Sequence, residues 1–212
     1  MKYEAIAKQI ISLSNEDIKL RNKLAKNGEL GEGYNDEMEK LHNRNAKLLN
    51  EIIDKIGYPT IDKVGEKAHE ATWLIIQHAI GQPNFMKKCE TLLAKAVSEN
   101  KANPLNLSYL IDRIATFEGR PQRYGTQFDW DENGKLNPQP FDDLTKVNQR
   151  RKAIGLNTLE IQTKTIRRQA KIENQSPPLD FEKRRLEMES WRKKVGWVKS
   201  VSYTHLTLPT KA

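Results

Sequence analysis

Apolar residues recur at helical spacing through the first third of the chain: Ile6, Ile10 and Ile11, then Ile18, Leu20 and Leu24, then Met38, Leu41, Leu48, Leu49, Ile52, Ile53 and Ile56. Recurrence every three or four residues places such side chains along one face of amphipathic helices. Ser14 followed by Asp17 reads as a helix start, so the first stretch divides in two, and the Gly-rich segment from Asn27 to Gly33 separates it from the next helix. Gly57-Tyr58-Pro59 closes that helix, because Gly accepts a left-handed cap and Pro cannot continue the ladder. From Gly65 to Gly81 the second half is apolar nearly all round (Trp73, Leu74, Ile75, Ile76, Ala79, Ile80), which predicts the central helix. Another helix carries Phe85, Met86, Cys89, Leu92, Leu93 and Val97. Asn103-Pro104 then supplies a cap and a first-turn proline for one with Leu107, Leu110, Ile111 and Ile114 on a single face.

After Gly119 the pattern changes. Alternation from Thr126 to Trp130 followed by Asn133-Gly134 predicts a hairpin over Thr126 to Leu136, closed by a type I′ turn. Helical spacing returns from Asp142 to Ala153, from Thr158 to Ile172 and, beyond the stiff Ser176-Pro177-Pro178, from Phe181 to Lys194. The expected fold is mainly α: an irregular helical bundle with one small β-hairpin and a helical C-terminal extension. The expected division is a helical domain over 1–155, a basic helical extension over 156–200 and a non-native tail over 201–212. Val201 to Thr210 resembles the in-frame translation of a transposase-type sequencing adapter, and Tyr203 and His205 are therefore left out of any site.

The composition narrows the function classes. A chain of 212 residues with 37% hydrophobic and 30% charged residues suits one folded domain and a polar extension. Of the net charge of +8, five units fall between residues 160 and 200, where eleven bases face six acids, so the body is nearly neutral. Such a body lacks the basic face that binds duplexes, and nucleic acid is not the expected partner. The single Cys89 allows no internal disulfide, no apolar run approaches the length of a membrane span, and the first residues lack the stretch of a signal peptide. The expected location is the cytoplasm.

Polar groups that can do chemistry concentrate at Gln77-His78 on the central helix, Asp112-Arg113 on a later one, and the loop from Gln122 to Gln127. If these converge, His78 serves as a general base with Asp112 orienting its ring. Arg113 then holds an anionic group, and Gln77, Gln122, Tyr124, Thr126 and Gln127 contact a small polar ligand. The competing reading is a buried polar network that ties the loop to the helices. A different class of function is also open: an interaction module whose basic extension docks an acidic protein or nucleic acid. Asp129 to Gly134 matches the first half of a calcium loop, but Pro140 stands where a bidentate Glu is required. His69 and His78 are nine positions apart on one helix and face opposite ways, so zinc held by that pair is not expected. No metal or cofactor is expected, since nucleotide-loop, hydrolase-elbow and zincin motifs do not occur.

The same segments carry a resemblance. Gly57-Tyr58-Pro59-Thr60, Trp73 to Ala79, Leu107 to Arg113, Glu118 to Phe128 and Arg150 to Leu156 are similar, in order, to the successive signatures of an uncharacterised bacterial domain of unknown function. Those signatures read G-[WY]-P-T, W-L-x-x-Q-H-A, A-Y-L-x-D-R, G-x-P-Q-x-Y-G-T-Q and R-R-x-x-x-G-L. Asp17 and Arg21 resemble its N-terminal D-x-x-x-R element, and the likeness spans about residues 15 to 160. The chain departs from the pattern at Ser108, where Ala is frequent, and at His42-Asn43, where Asp is common. The resemblance implies a bacterial protein with this polar motif set, and no established activity.

Overall fold

A computed structural model describes residues 2–30 and 33–199; the adapter-like segment from Val201 to Thr210 lies outside them. Among the described residues the order is α1 (Glu4–Lys26), α2 (Asp36–Ile56), α3 (Ile61–Val64), α4 (Glu66–His78), α5 (Pro83–Ser98), α6 (Pro104–Phe117), β1 (Phe128–Trp130), β2 (Leu136–Pro138), α7 (Leu144–Ala153), α8 (Leu159–Ile172) and α9 (Phe181–Val195). The fold is mainly α with one small antiparallel sheet. Helix α4 is its centre and packs against α1, α2, α3 and α5, while α5 and α6 pair with each other. No described helix is long and apolar enough to cross a membrane.

The cap at Asn103 is the one the sequence announces, and side chains cap three later helices as well. Asn103 accepts from the N–H of Leu105 ahead of Pro104, and Asp143, Thr158 and Asp180 cap α7, α8 and α9 with their side chains. Elsewhere the structure corrects the reading. Ser14 starts no helix: α1 runs unbroken for 23 residues with Ser14 buried on its inner face. An uninterrupted helix keeps the phase set by Ala7 and Ile10, which turns Asp17 inward and leaves Ile18 46% exposed.

The hairpin also differs in detail. Its second strand is Leu136–Pro138, with Trp130 opposite Leu136, so the pairing lies further along the chain than Thr126 to Leu136. Only Gly134 has positive φ in the loop, and Asp131 and Lys135 close it through Asp131 N–H to the Lys135 carbonyl. This is a turn ending in a left-handed Gly rather than a type I′ pair. The Asp131 carboxylate accounts for it by accepting from the N–H groups of Asn133 and Lys135 and from the Asn137 amide.

The C-terminal extension is helical, as expected, and its helices lie against the body. Leu159 and Ala170 of α8 are buried, α8 packs on β2 and α7, and Trp191 and Val195 of α9 lie against the core. Just past the end of α9, Trp197 is 4% exposed and donates its indole N–H to the Ile80 carbonyl at 2.7 Å. An amphipathic indole buried with its one donor satisfied is a strong anchor.

Candidate functional site

The residues singled out by the sequence fall into two separate groups. Asp112, fully buried on α6, accepts from the N–H groups of Arg123, Tyr124 and Thr126 and from the Thr126 hydroxyl, at 2.8 to 3.2 Å. Gln122, also fully buried, donates its amide to the carbonyls of Gln127 and Gln139 and accepts from the Gln127 N–H. Arg113 donates to the Gln77 backbone carbonyl at the end of α4 and to Gln127 Oε1, and Gln127 donates to Thr126 Oγ1. Tyr124 enters this group through its backbone, whose carbonyl accepts from the buried Arg151. At Gly125 (φ +64°) a Cβ would stand 2.8 Å from Leu159, so the loop touches α8 where only glycine fits.

This group is a polar clamp holding the loop from Arg120 to Gln127 onto α4 and α6. Both oxygens of Asp112 are occupied by the loop, and its carboxyl is pushed above the usual range by burial, against the pull of these hydrogen bonds. It therefore does not orient His78. The expected pairing of those two residues is corrected: the carboxylate beside His78 belongs to Asp17.

The second group joins three helices. Asp17 on α1 is 1% exposed, and its Oδ2 lies 2.9 Å from Nδ1 of His78, the last residue of α4, and 3.1 Å from Nε2 of His42 on α2. The His78 contact is a hydrogen bond. The His42 contact lacks hydrogen-bond alignment, and both His42 Nε2 and Asp17 Oδ1 are buried without a partner. On its other nitrogen, His42 Nδ1 is 2.6 Å from the Tyr34 hydroxyl, and the two imidazole centres are 5.0 Å apart. His78 keeps a quarter of its side chain exposed, while His42 is closed in.

Burial opposes the charge on Asp17, yet the His42 and His78 rings beside it more than offset burial and hold its carboxyl well below the usual carboxylate range. Burial likewise pushes the Tyr34 phenol above its ordinary value, so the hydroxyl stays protonated. Tyr34 also lines a cleft of about 530 Å³ with Ile80, Phe117, Trp191, Glu39 and Arg184 among its walls, and its ring meets Trp191 edge-on. That volume lies within the span of small-molecule sites. His69 stands apart, its Nδ1 2.9 Å from the Pro59 carbonyl.

Asp17, Tyr34 and His42 had no place in the expected site, although a signal for two of them was present. Asp17 occupies the buried stripe of Ala7, Ile10, Leu13 and Leu24, and His42 that of Met38, Ala46, Leu49 and Ile53. Ionisable residues at apolar stripe positions seldom persist without a partner or a task.

A family model described as a family of unknown function (DUF6624) matches residues 5–172. That stretch contains every member of the buried cluster and of the loop clamp. No curated protein matches the chain. No solved structure matches it either.

Proposed function

The chain belongs to this family of unknown function, and we propose from its site that it binds a small polar ligand at the Asp17–His42–His78 cluster and exchanges protons with it there. One observation carries the reading: a buried, ionised carboxylate grips Nδ1 of His78 while that ring keeps an exposed edge. A ring fixed in this way has its tautomer and direction set before a ligand arrives, which is what proton transfer needs. The cleft walled by Tyr34 and Trp191 meets the cluster through the Tyr34 hydroxyl on His42, and it carries apolar rings and both signs of charge on its rim.

The test is imidazole NMR on histidine-labelled protein titrated with nucleotides, sugar phosphates, amino acids and dicarboxylates. One class is expected to shift the His78 resonances and to lose that effect in Asp17→Asn. A folded protein whose histidine signals answer to none of the four classes would sink the reading. The interaction-module reading draws less support, because Arg184 pairs with Asp129, Arg185 with Glu182 and Glu189, and Arg192 with the Phe117 carbonyl. We also place the protein in the cytoplasm, where a lone thiol such as Cys89, pushed up to about 12 by burial, stays reduced and inert. Fractionation against a secreted marker checks this, and recovery with that marker would overturn it.

A further inference from the structure

We propose that Asp17, His42 and His78 bind one divalent transition metal ion of the zinc class, through a carboxylate oxygen, Nε2 of His42 and Nδ1 of His78. The proposal rests on the reading that this cluster is the functional centre, and it names what sits there. The three donor atoms lie within 4.8 Å of one another. Donors held about 2.0–2.1 Å from a tetrahedral zinc stand about 3.3 Å apart. The separations of 2.9 and 3.1 Å from Asp17 Oδ2 therefore need to open by a few tenths of an ångström, roughly, and the two imidazole nitrogens, within 4.8 Å of each other, need to settle at about the same spacing to admit the ion.

The strongest argument is what the buried atoms lack. Asp17 Oδ1 and His42 Nε2 are both enclosed, both unpartnered, and on facing side chains. Leaving a buried polar atom bare costs about 1–3 kcal/mol, more for a charged group, so two at one spot call for an occupant. A cation held by the carboxylate takes His42 Nε2 as a ligand and balances the charge of the group to which Oδ1 belongs, whereas the His42 contact is misaligned for a hydrogen bond. Tyr34 completes the arrangement: a histidine bound through Nε2 carries its proton on Nδ1, and the phenol oxygen 2.6 Å away can accept it.

Chemistry selects the ion. Two imidazoles and one carboxylate suit zinc and its first-row neighbours, while magnesium and calcium take oxygen sets. Three protein donors leave a fourth position for water or a ligand oxygen, the pattern of catalytic rather than structural zinc. The proton that His78 Nδ1 gives to Asp17 Oδ2 moves by way of solvent to Nε2 as the metal takes its place, so a neutral ring binds without net proton release, while acid, which protonates the donors, weakens binding.

The full chain, stripped with a chelator and dialysed, is titrated with Zn²⁺ by calorimetry and with Co²⁺ by visible absorption. One ion per chain is expected, with tetrahedral cobalt bands. His42→Gln and Asp17→Asn should each weaken it about a hundredfold or more, and Tyr34→Phe, which keeps all three donors, about tenfold. Should the first two variants fold poorly, nitrogen NMR of the wild type suffices: zinc must fix His42 as the Nδ1–H tautomer and His78 as the Nε2–H tautomer. Absence of saturable one-to-one binding overturns the proposal. So does binding that survives His42→Gln but vanishes in His205→Ala, which would trace the metal to the tail. If metal fails while one of the four ligand classes still moves His78 in the stripped protein, the metal falls and the proton-exchange reading stands. If metal binds and no ligand class does, the reverse holds.

Discussion

Replacing Asp112 by Asn keeps the shape of the side chain and exchanges one acceptor oxygen for a donor. In the protein Oδ2 accepts from Thr126 N–H at 2.9 Å, Thr126 Oγ1 at 3.0 Å and Tyr124 N–H at 3.2 Å, while Oδ1 accepts from Arg123 and Tyr124. An amide placed to keep the Oδ1 bonds confronts the Thr126 N–H with another donor; the Thr126 hydroxyl can rotate, so one main-chain donor is left bare and one charge-assisted bond is weakened. At about 1–3 kcal/mol for each such loss, the sum is about 2–6 kcal/mol. Relief from burying a carboxylate offsets part of this, and a destabilisation of about 3 kcal/mol is expected. Urea unfolding measures it as a lower midpoint at unchanged slope. Hydrogen exchange should localise the change to Arg123 through Thr126, leaving the His42 and His78 imidazole signals in place. A loss below about 1 kcal/mol, or histidine signals that move with it, would refute the division into loop clamp and functional cluster.

Two further outcomes follow from named groups. The Asp17 carboxyl is held below its unfolded value, so its ionisation favours the native state in full above the unfolded carboxylate range, about pH 4, and that contribution is lost as pH falls toward its native value. Acid unfolding of the wild type should thus show an extra loss of stability below about pH 4 that Asp17→Asn lacks, and parallel curves would contradict the ion pairing. Trp197→Ala should cost about 3–5 kcal/mol by calorimetry or denaturant, as expected for a buried indole with its donor satisfied; a change within about 0.5 kcal/mol would mean that the segment after α9 contributes nothing to the core.

Elements were legible where local chemistry decides them. Asn103-Pro104 begins α6, Gly155 follows α7, and the apolar run through Ile75 and Ile76 lies at the centre, because caps and periodicity act within a turn or two. The loop clamp was legible in its members, since Asp112, Arg113, Gln122, Thr126 and Gln127 do meet, and as one of two open readings, a network that ties the loop to the helices, between which the sequence could not choose. Side-chain type is the same whether an oxygen faces a ligand or three main-chain amides. The cluster was hidden for a different reason. Asp17 and His78 are 61 positions apart, and pairing them requires the packing of α1 on α4, which no short-range rule contains. One local error compounded this: reading Ser14 as a start reset the helical phase, so that Ile18 took the inner position that Asp17 holds.

The Trp197 anchor orders events during synthesis. The ribosome completes α1, α2 and α4 long before residue 197 is made, so the emerging chain carries its whole buried cluster while the carbonyl of Ile80, two positions past His78, still lacks the indole that later covers it. The family match ends at residue 172, so the last bolt on the end of the central helix is supplied from outside the matched stretch. Peptide added beyond Trp197 therefore begins beside the bolt, and a fusion partner for expression is better joined ahead of α1 than behind α9.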